Sequence, residues 1–166
     1  DGTGVSLTAS GGWFQSSPVV TSLGFALSTR LQQTWLDAAS PSALTPGKRP
    51  RVTLTPTLVL EDNEVRMALG SPGGDGQDQW QLHALVRILL LGQSLEQAAA
   101  DYTFQSISFN NSFWPRESVE RGVLLERRAP RELARDLENR GHRIFDVPGS
   151  SLGRLSIVAR ATHTGD

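Results

Sequence analysis

The chain has 166 residues, 38% of them hydrophobic and 20% charged, which predicts one globular domain over residues 1–166. Its 16 basic and 17 acidic side chains leave a net charge of −1, so we expect neither nucleic acid nor a membrane surface as a partner. It contains no cysteine, which excludes disulfides, thiolate catalysis and cysteine-bound metals within this chain.

The first part of the chain reads as strands separated by loops. Residues 4–9 alternate apolar and polar side chains and predict a half-buried strand. Val19-Val20 and residues 23–27 predict a pair of short strands. Residues 38–51 are rich in Pro, Gly, Ser and Ala and predict a long surface loop. Residues 57–69 predict a hairpin that turns at Asp62-Asn63.

The second part adds helices. Residues 78–91 carry apolar side chains around nearly the whole helical circumference, which predicts a helix buried on most sides. Ser94 and Gln97 form a capping-box signature for a second helix ending at Ala100. The remaining predictions are an irregular segment at 101–121, strands at 123–126, 143–147 and 152–158, and a helix at 130–140. This order predicts an α+β fold with layered packing.

The glycine-rich segment 70–76 (GSPGGDG) joins a predicted strand to a predicted helix. Glycines allow the backbone to approach a ligand, and amides at a helix start stabilise an anion. Such a loop suits a phosphate cradle, an oxyanion hole or simply a tight turn. No Gly-Lys-Ser/Thr or Gly-x-Gly-x-x-Gly pattern accompanies it, which argues against phosphate binding.

Several motifs, in order along residues 1 to 160, resemble the gamma-glutamyltranspeptidase family. The motifs are DG at 1–2 with VSLT at 5–8, PGKRP at 46–50, TPTLVL at 55–60, GSPGG at 70–74, QAAAD at 97–101 and ENRGH at 138–142.

The resemblance implies an N-terminal-nucleophile hydrolase with a four-layer αββα sandwich, of which this chain is the small C-terminal subunit. A precursor cleaves itself and exposes a threonine, which attacks an amide carbonyl while its own α-amine acts as base. That threonine is expected upstream of Asp1, so Thr3 and Thr8 are not assigned its role. The implied partners are the large N-terminal subunit and a small amide or γ-glutamyl-like substrate, with no cofactor or metal.

Site residues follow from the same resemblance. Gly73 and Gly74 match the family's oxyanion-hole glycines. Ser10 matches a hydroxyl position near the nucleophile. Arg30, Gln33 and Thr53 match substrate-binding positions, and Ser71, in the glycine loop, is also expected to bind substrate. Trp13 and Phe14 are expected along the substrate cleft.

Some matched positions depart from the family's usual residues. Gly12 replaces an asparagine, Gln33 replaces the acid that binds the substrate amine, and Val52-Thr53 replace paired serines. An unmatched substrate charge costs about 1–3 kcal/mol, so γ-glutamyl specificity is not expected. Arg30 suits an acyl carboxylate, as in the acylase-like and oxamate-amidohydrolase-like branches. For each of these side chains a plain structural role stays open.

We expect the parent protein to be an amidohydrolase or acyltransferase, with this fragment inactive alone. The alternatives are a catalytically inactive family member acting as a scaffold, and a stand-alone anion-binding domain. His83, His142 and His163 show no metal-ligand spacing. The substrate, compartment and oligomeric state are not predicted.

Overall fold

A computed structural model describes residues 2–160. The strands are β1 (Val19–Val20), β2 (Phe25–Ala26), β3 (Thr57–Glu61), β4 (Glu64–Gly70), β5 (Phe104–Ser106), β6 (Gly122–Glu126), β7 (Arg143–Val147) and β8 (Ser156–Ala159). The α-helices are α1 (Gln77–Leu85), α2 (Leu95–Ala100) and α3 (Arg131–Asn139), and a π-helical turn (Val86–Leu90) extends α1. Helix and sheet are mixed, as predicted.

The predicted hairpin forms the centre of the first sheet. β3 and β4 pair antiparallel, and β8 pairs antiparallel with the other edge of β4. Asp62 and Asn63 have φ of 51° and 64°, the left-handed values that Asp and Asn adopt readily in a two-residue hairpin turn. β4 therefore runs straight from this turn into the glycine-rich segment.

The second sheet has the order β5-β6-β7. β6 and β7 are parallel and are joined through α3, whereas β5 pairs antiparallel with β6. Glu126 is fully buried at the end of β6, where its carboxylate accepts hydrogen bonds from the Thr103 and Leu152 amides and from Arg128. This carboxylate ties the end of the sheet to the segments on either side.

The prediction that the helix at 78–91 is buried on most sides is wrong. The side chains of Leu82, Leu89 and Leu90 are 59%, 55% and 77% exposed, because no part of the described chain covers them. The buried face carries Gln77, Trp80, Gln81 and Ala84.

Two glutamine side chains of α1 bond to the backbone of other segments. Gln81 donates to the Thr55 carbonyl at 2.7 Å. Gln79 donates to the Ser106 carbonyl and accepts from the Ser106 amide, at 3.2 and 2.8 Å. These bonds offset part of the cost of burying an amide, and they attach α1 to β5 and to the segment just before β3.

The predicted strand at 4–9 is also not formed. Ser6 joins this segment to the first sheet through its hydroxyl, which donates to the Leu69 carbonyl at 2.9 Å and accepts from the Thr57 amide at 3.1 Å. This segment is therefore attached to the first sheet through a side chain and not through strand pairing. The prediction for 101–121 was incomplete, since β5 begins at Phe104.

Other local predictions are confirmed. β1 and β2 pair antiparallel, and residues 36–51 contain no helix or strand. Ser94 and Gln97 form the capping box of α2. Within residues 2–160, no helix is long and apolar enough to cross a membrane.

Candidate functional site

A cavity of about 680 Å³ lies where the end of β4 meets the glycine-rich loop. Its walls come from residues 5–10, from the end of β4 with residues 70–74, and from parts of β8. Gln77 at the start of α1 and Phe113 also line it. The site therefore collects segments that are far apart in the sequence.

The cavity contains six of the seven predicted site residues: Ser10, Arg30, Thr53, Ser71, Gly73 and Gly74. Gln33 is not among the lining residues; it is fully buried beside Arg30. Trp13 lines the cavity as expected. Phe14 does not, and its side chain is 77% exposed. Val52 is exposed outside the cavity, whereas Thr53 is buried at its wall.

Gly73 and Gly74 adopt backbone conformations that favour glycine, with φ of 127° and 58°. They begin a 3-10 turn (Gly74–Gly76) that leads into α1, and Gly76 donates to the Gly73 carbonyl at 3.3 Å. Neither the Gly73 N–H nor the Gly74 N–H donates to any group in the described part of the chain. Two unpaired amides at a helix start, beside a cavity, suit a developing negative charge.

The indole ring of Trp80 supports this loop from within the protein. A Cβ at Gly73 would lie 2.1 Å from the Trp80 ring, and one at Gly76 would lie 2.3 Å from it. Side chains are thus excluded at both positions by close packing. Gly74 differs, because its Cβ would meet only Phe113, at 3.6 Å.

Asp75, the residue after the glycine pair, was not identified as important from the sequence. Its carboxylate accepts hydrogen bonds from the amide and hydroxyl of Ser112, at 2.7 and 2.5 Å, and pairs with Arg51 at 3.3 Å. The Asp75 side chain is 6% exposed. These bonds fasten the glycine loop to the segment that carries Phe113.

Arg116 extends the connection from Ser112 towards Arg30. It donates to the Ser112 carbonyl at 2.8 Å and to the Gln32 and Thr34 carbonyls at 3.1 and 2.6 Å. Its guanidinium lies 4.7 Å from the centre of the Trp35 ring. Both ends of the cavity wall therefore belong to one hydrogen-bonded network.

Arg30 is the sole charged side chain among the described residues lining the cavity. The residue is 9% exposed, and its Nε has no hydrogen-bond partner in the described structure. With the Gln33 amide oriented so that both of its ends are paired, its oxygen accepts from Arg30 Nη1 at 2.9 Å and its nitrogen donates to the Arg51 carbonyl. No carboxylate of residues 2–160 forms an ion pair with Arg30.

His83 and His142, the two histidines in the described part of the chain, do not line the cavity. His83 stacks on Phe104 with ring centres 4.0 Å apart, and burial, reinforced by Arg87, lowers the pKa of His83 from 6.5 to about 4. His163 lies outside the described residues. Residues 2–160 contain no cluster of three or more His, Asp or Glu side chains arranged to hold a metal ion.

Comparison with known proteins gives one family match over nearly the whole chain. The sequence model described as gamma-glutamyltranspeptidase matches residues 1–165.

Curated relatives are all much longer than this chain. An oxamate amidohydrolase proenzyme of Klebsiella pneumoniae is 38% identical over 86 residues, which cover 51% of this chain and 16% of that protein. An acylase proenzyme of Pseudomonas sp. is 30% identical over 117 residues, covering 70% of this chain and 19% of that protein. The chain thus spans less than a fifth of the length of these two relatives.

Solved structures show the same relationship. The structure of LmbA2991HD superposes with a TM-score of 0.83 at 46% identity, over 94% of this chain and 28% of that one. A gamma-glutamyltranspeptidase of Pseudomonas nitroreducens superposes with a TM-score of 0.72 at 23% identity, over 96% of this chain and 84% of that one. At 23% identity, the similarity to the second structure shows a shared fold and nothing more.

Proposed function

Because this chain belongs to the gamma-glutamyltranspeptidase family, we propose that its parent protein cleaves amide bonds through a threonine acyl-enzyme. The observation that carries the proposal is the pair of Gly73 and Gly74 N–H groups at the cavity wall, which have no hydrogen-bond acceptor within residues 2–160. A tetrahedral intermediate places negative charge on one oxygen, and such donors stabilise it.

The proposed reaction has two steps. The hydroxyl of a threonine upstream of this chain adds to the amide carbonyl, and its proton passes through the threonine's own α-amine to the departing amine. The C–N bond breaks and an ester forms. Water, or an acceptor amine, then attacks the ester and releases the acyl group as an acid or a new amide.

We assign supporting roles to the polar residues of the cavity. Ser10 and Thr53 present hydroxyls to the bound substrate. Ser71 is 3% exposed and its hydroxyl donates to the Pro72 carbonyl at 2.7 Å, which favours a role in shaping the loop before Gly73. γ-Glutamyl specificity is not part of the proposal, since Gln33 is neutral and buried.

The proposal includes a partner. The large N-terminal part of the same precursor would complete an αββα sandwich around this chain, and relatives described as proenzymes support that arrangement. The exposed leucines of α1 and of the π-helical turn after it agree with a covering segment outside this chain. This chain by itself would then be inactive.

Expression of the full-length protein tests the proposal. Intact mass should show conversion into two chains, and sequencing should find a threonine at the new N-terminus, upstream of Asp1. Replacement of that threonine by alanine should abolish both conversion and amide hydrolysis. A folded protein that stays uncut, or that cuts before another residue, would instead support a scaffold without catalytic activity.

A further inference from the structure

Asp75 places a negative charge directly beside the two amides that are proposed to hold the oxyanion. It follows Gly74 in the chain, and its side chain is 6% exposed. We propose that Arg51 cancels this charge, and that Arg51 and Asp75 form a positioning pair that lets negative charge develop on the substrate oxygen. The inference rests on the proposed amide-cleaving function and adds to it two residues that do not line the cavity.

The Asp75 carboxylate satisfies two buried donors. Its oxygens accept hydrogen bonds from the Ser112 amide at 2.7 Å and from the Ser112 hydroxyl at 2.5 Å, and Ser112 is fully buried. A buried amide and hydroxyl without an acceptor are costly, so a group with two acceptor oxygens suits this position. The same group brings a full negative charge into the protein interior.

That charge opposes the proposed reaction. Attack on an amide carbonyl moves negative charge onto the carbonyl oxygen, which the Gly73 and Gly74 N–H groups are proposed to hold. Charges of the same sign repel each other, and the repulsion grows where the effective dielectric constant is low. An uncompensated Asp75 would therefore raise the barrier to reaction while having little effect on the binding of a neutral amide.

Arg51 is placed to remove this repulsion. Its Nη2 donates to Asp75 Oδ1 at 3.3 Å, and within residues 2–160 it is the one cation that forms an ion pair with Asp75. In the paired orientation of the Gln33 amide, the Arg51 carbonyl accepts from Gln33, which fastens the backbone at this point. Removal of Arg51 would leave a buried carboxylate without a counter-charge.

Kinetics of the full-length protein test the inference. The probes are acetyl-, butanoyl- and γ-glutamyl-p-nitroanilide, and the one that the wild type cleaves fastest is used. Arg51→Gln should lower kcat by ~10-fold or more and change KM by less than ~3-fold, because the lost compensation acts on the transition state.

A second substitution separates charge from structural damage. Adding Asp75→Asn to Arg51→Gln should raise kcat again towards the wild-type value, since asparagine keeps an acceptor for Ser112 but carries no charge. Structural damage predicts the opposite, because its losses accumulate. A double variant no faster than Arg51→Gln would overturn the inference while leaving the amidase function intact.

An exposed ion pair on α3 supplies the matched control. Arg140 Nε lies 3.0 Å from Asp136 Oδ2, and the two side chains are 69% and 56% exposed. Arg140→Gln, alone or with Asp136→Asn, should leave kcat within about 2-fold of the wild-type value. A loss as large as that of Arg51→Gln would refute a specific role for Arg51.

Anion binding supplies a readout that needs no turnover. In crystals of the full-length protein soaked in bromide, an anomalous peak should lie within hydrogen-bond distance of the Gly73 and Gly74 nitrogens. The peak should be present in the wild type and in the Arg51→Gln/Asp75→Asn double variant, and absent from Arg51→Gln. If no p-nitroanilide is cleaved, the amidase proposal fails, and this comparison still decides the role of Arg51. Equal peaks in the wild type and Arg51→Gln, or no peak in any of the three proteins, would overturn the inference.

Discussion

Gly73 lies against the indole ring of Trp80 so closely that a Cβ at Gly73 would stand 2.1 Å from ring atom Cζ3. The neighbouring Gly74 has no such contact, although it lines the same cavity. The two glycines are therefore required for different reasons. Gly73 is needed for packing and for its φ of 127°, and Gly74 for a φ of 58° alone.

This difference predicts unequal costs for two small substitutions. Gly73→Ala should lower the free energy of unfolding by about 3 kcal/mol, because overpacking adds to backbone strain. Gly74→Ala should cost about 1 kcal/mol, since a left-handed φ is its main penalty. Urea unfolding measures both. In the Trp80→Leu background, Gly73→Ala should cost less unfolding free energy than it costs in the wild type, because the smaller leucine leaves room for the added Cβ. Equal costs in the two backgrounds would contradict the packing argument.

A second prediction concerns the carboxylate beside the glycine pair. Asp75→Ala should cost about 2–3 kcal/mol of unfolding free energy, because it leaves the buried Ser112 amide and hydroxyl without their acceptor. Asp75→Asn keeps one acceptor oxygen and should cost about half as much. Asp78→Ala, at an exposed position on α1, is the control and should change stability by less than about 1 kcal/mol. A loss at Asp75 no larger than at Asp78 would disprove the anchoring role.

The third prediction is a pH dependence of stability from His83. Burial, with a contribution from Arg87, lowers its pKa to about 4 in the folded protein, against 6.5 for an ordinary histidine. Well above pH 6.5, His83 is neutral in both the folded and the unfolded protein and contributes nothing to the pH dependence. As the pH falls from 6.5 to 4, the unfolded chain takes up a proton that the folded chain does not, so the free energy of unfolding decreases.

His83→Phe preserves an aromatic ring against Phe104 and removes the titrating group. Thermal unfolding from pH 7 to pH 4 should therefore show a smaller loss of stability in this variant than in the wild type. Identical curves for the two proteins would exclude His83 as the source of the dependence.

Sequence reasoning succeeded where the deciding interactions are local. The hairpin turn at Asp62-Asn63 and the Ser94–Gln97 capping box depend on residues within a few positions of each other, and both are confirmed. The family motifs also pointed to the glycine loop, and six of the seven site residues that they predicted line the cavity.

The failures involve partners that are distant in sequence. Apolar periodicity over residues 78–91 predicted burial on most sides, but the buried face of α1 includes Gln77 and Gln81, and Gln81 finds a backbone partner in Thr55. Residues 4–9 form no strand and instead attach to the first sheet through the Ser6 hydroxyl, which bonds to Thr57 and Leu69. Hydrogen bonds of this kind, between a side chain and a distant backbone group, leave no periodic pattern of apolar and polar residues in the sequence.

The sequence by itself determined the local turns and caps, the glycine loop and the family. Only the tertiary structure decided that Asp75 anchors that loop to Ser112, 37 residues away, and that Gln33 stands behind Arg30 rather than in the cavity. The physical reason is that a side chain's charge environment depends on what packs around it. Composition counts charges, whereas folding decides which of them are left without a partner.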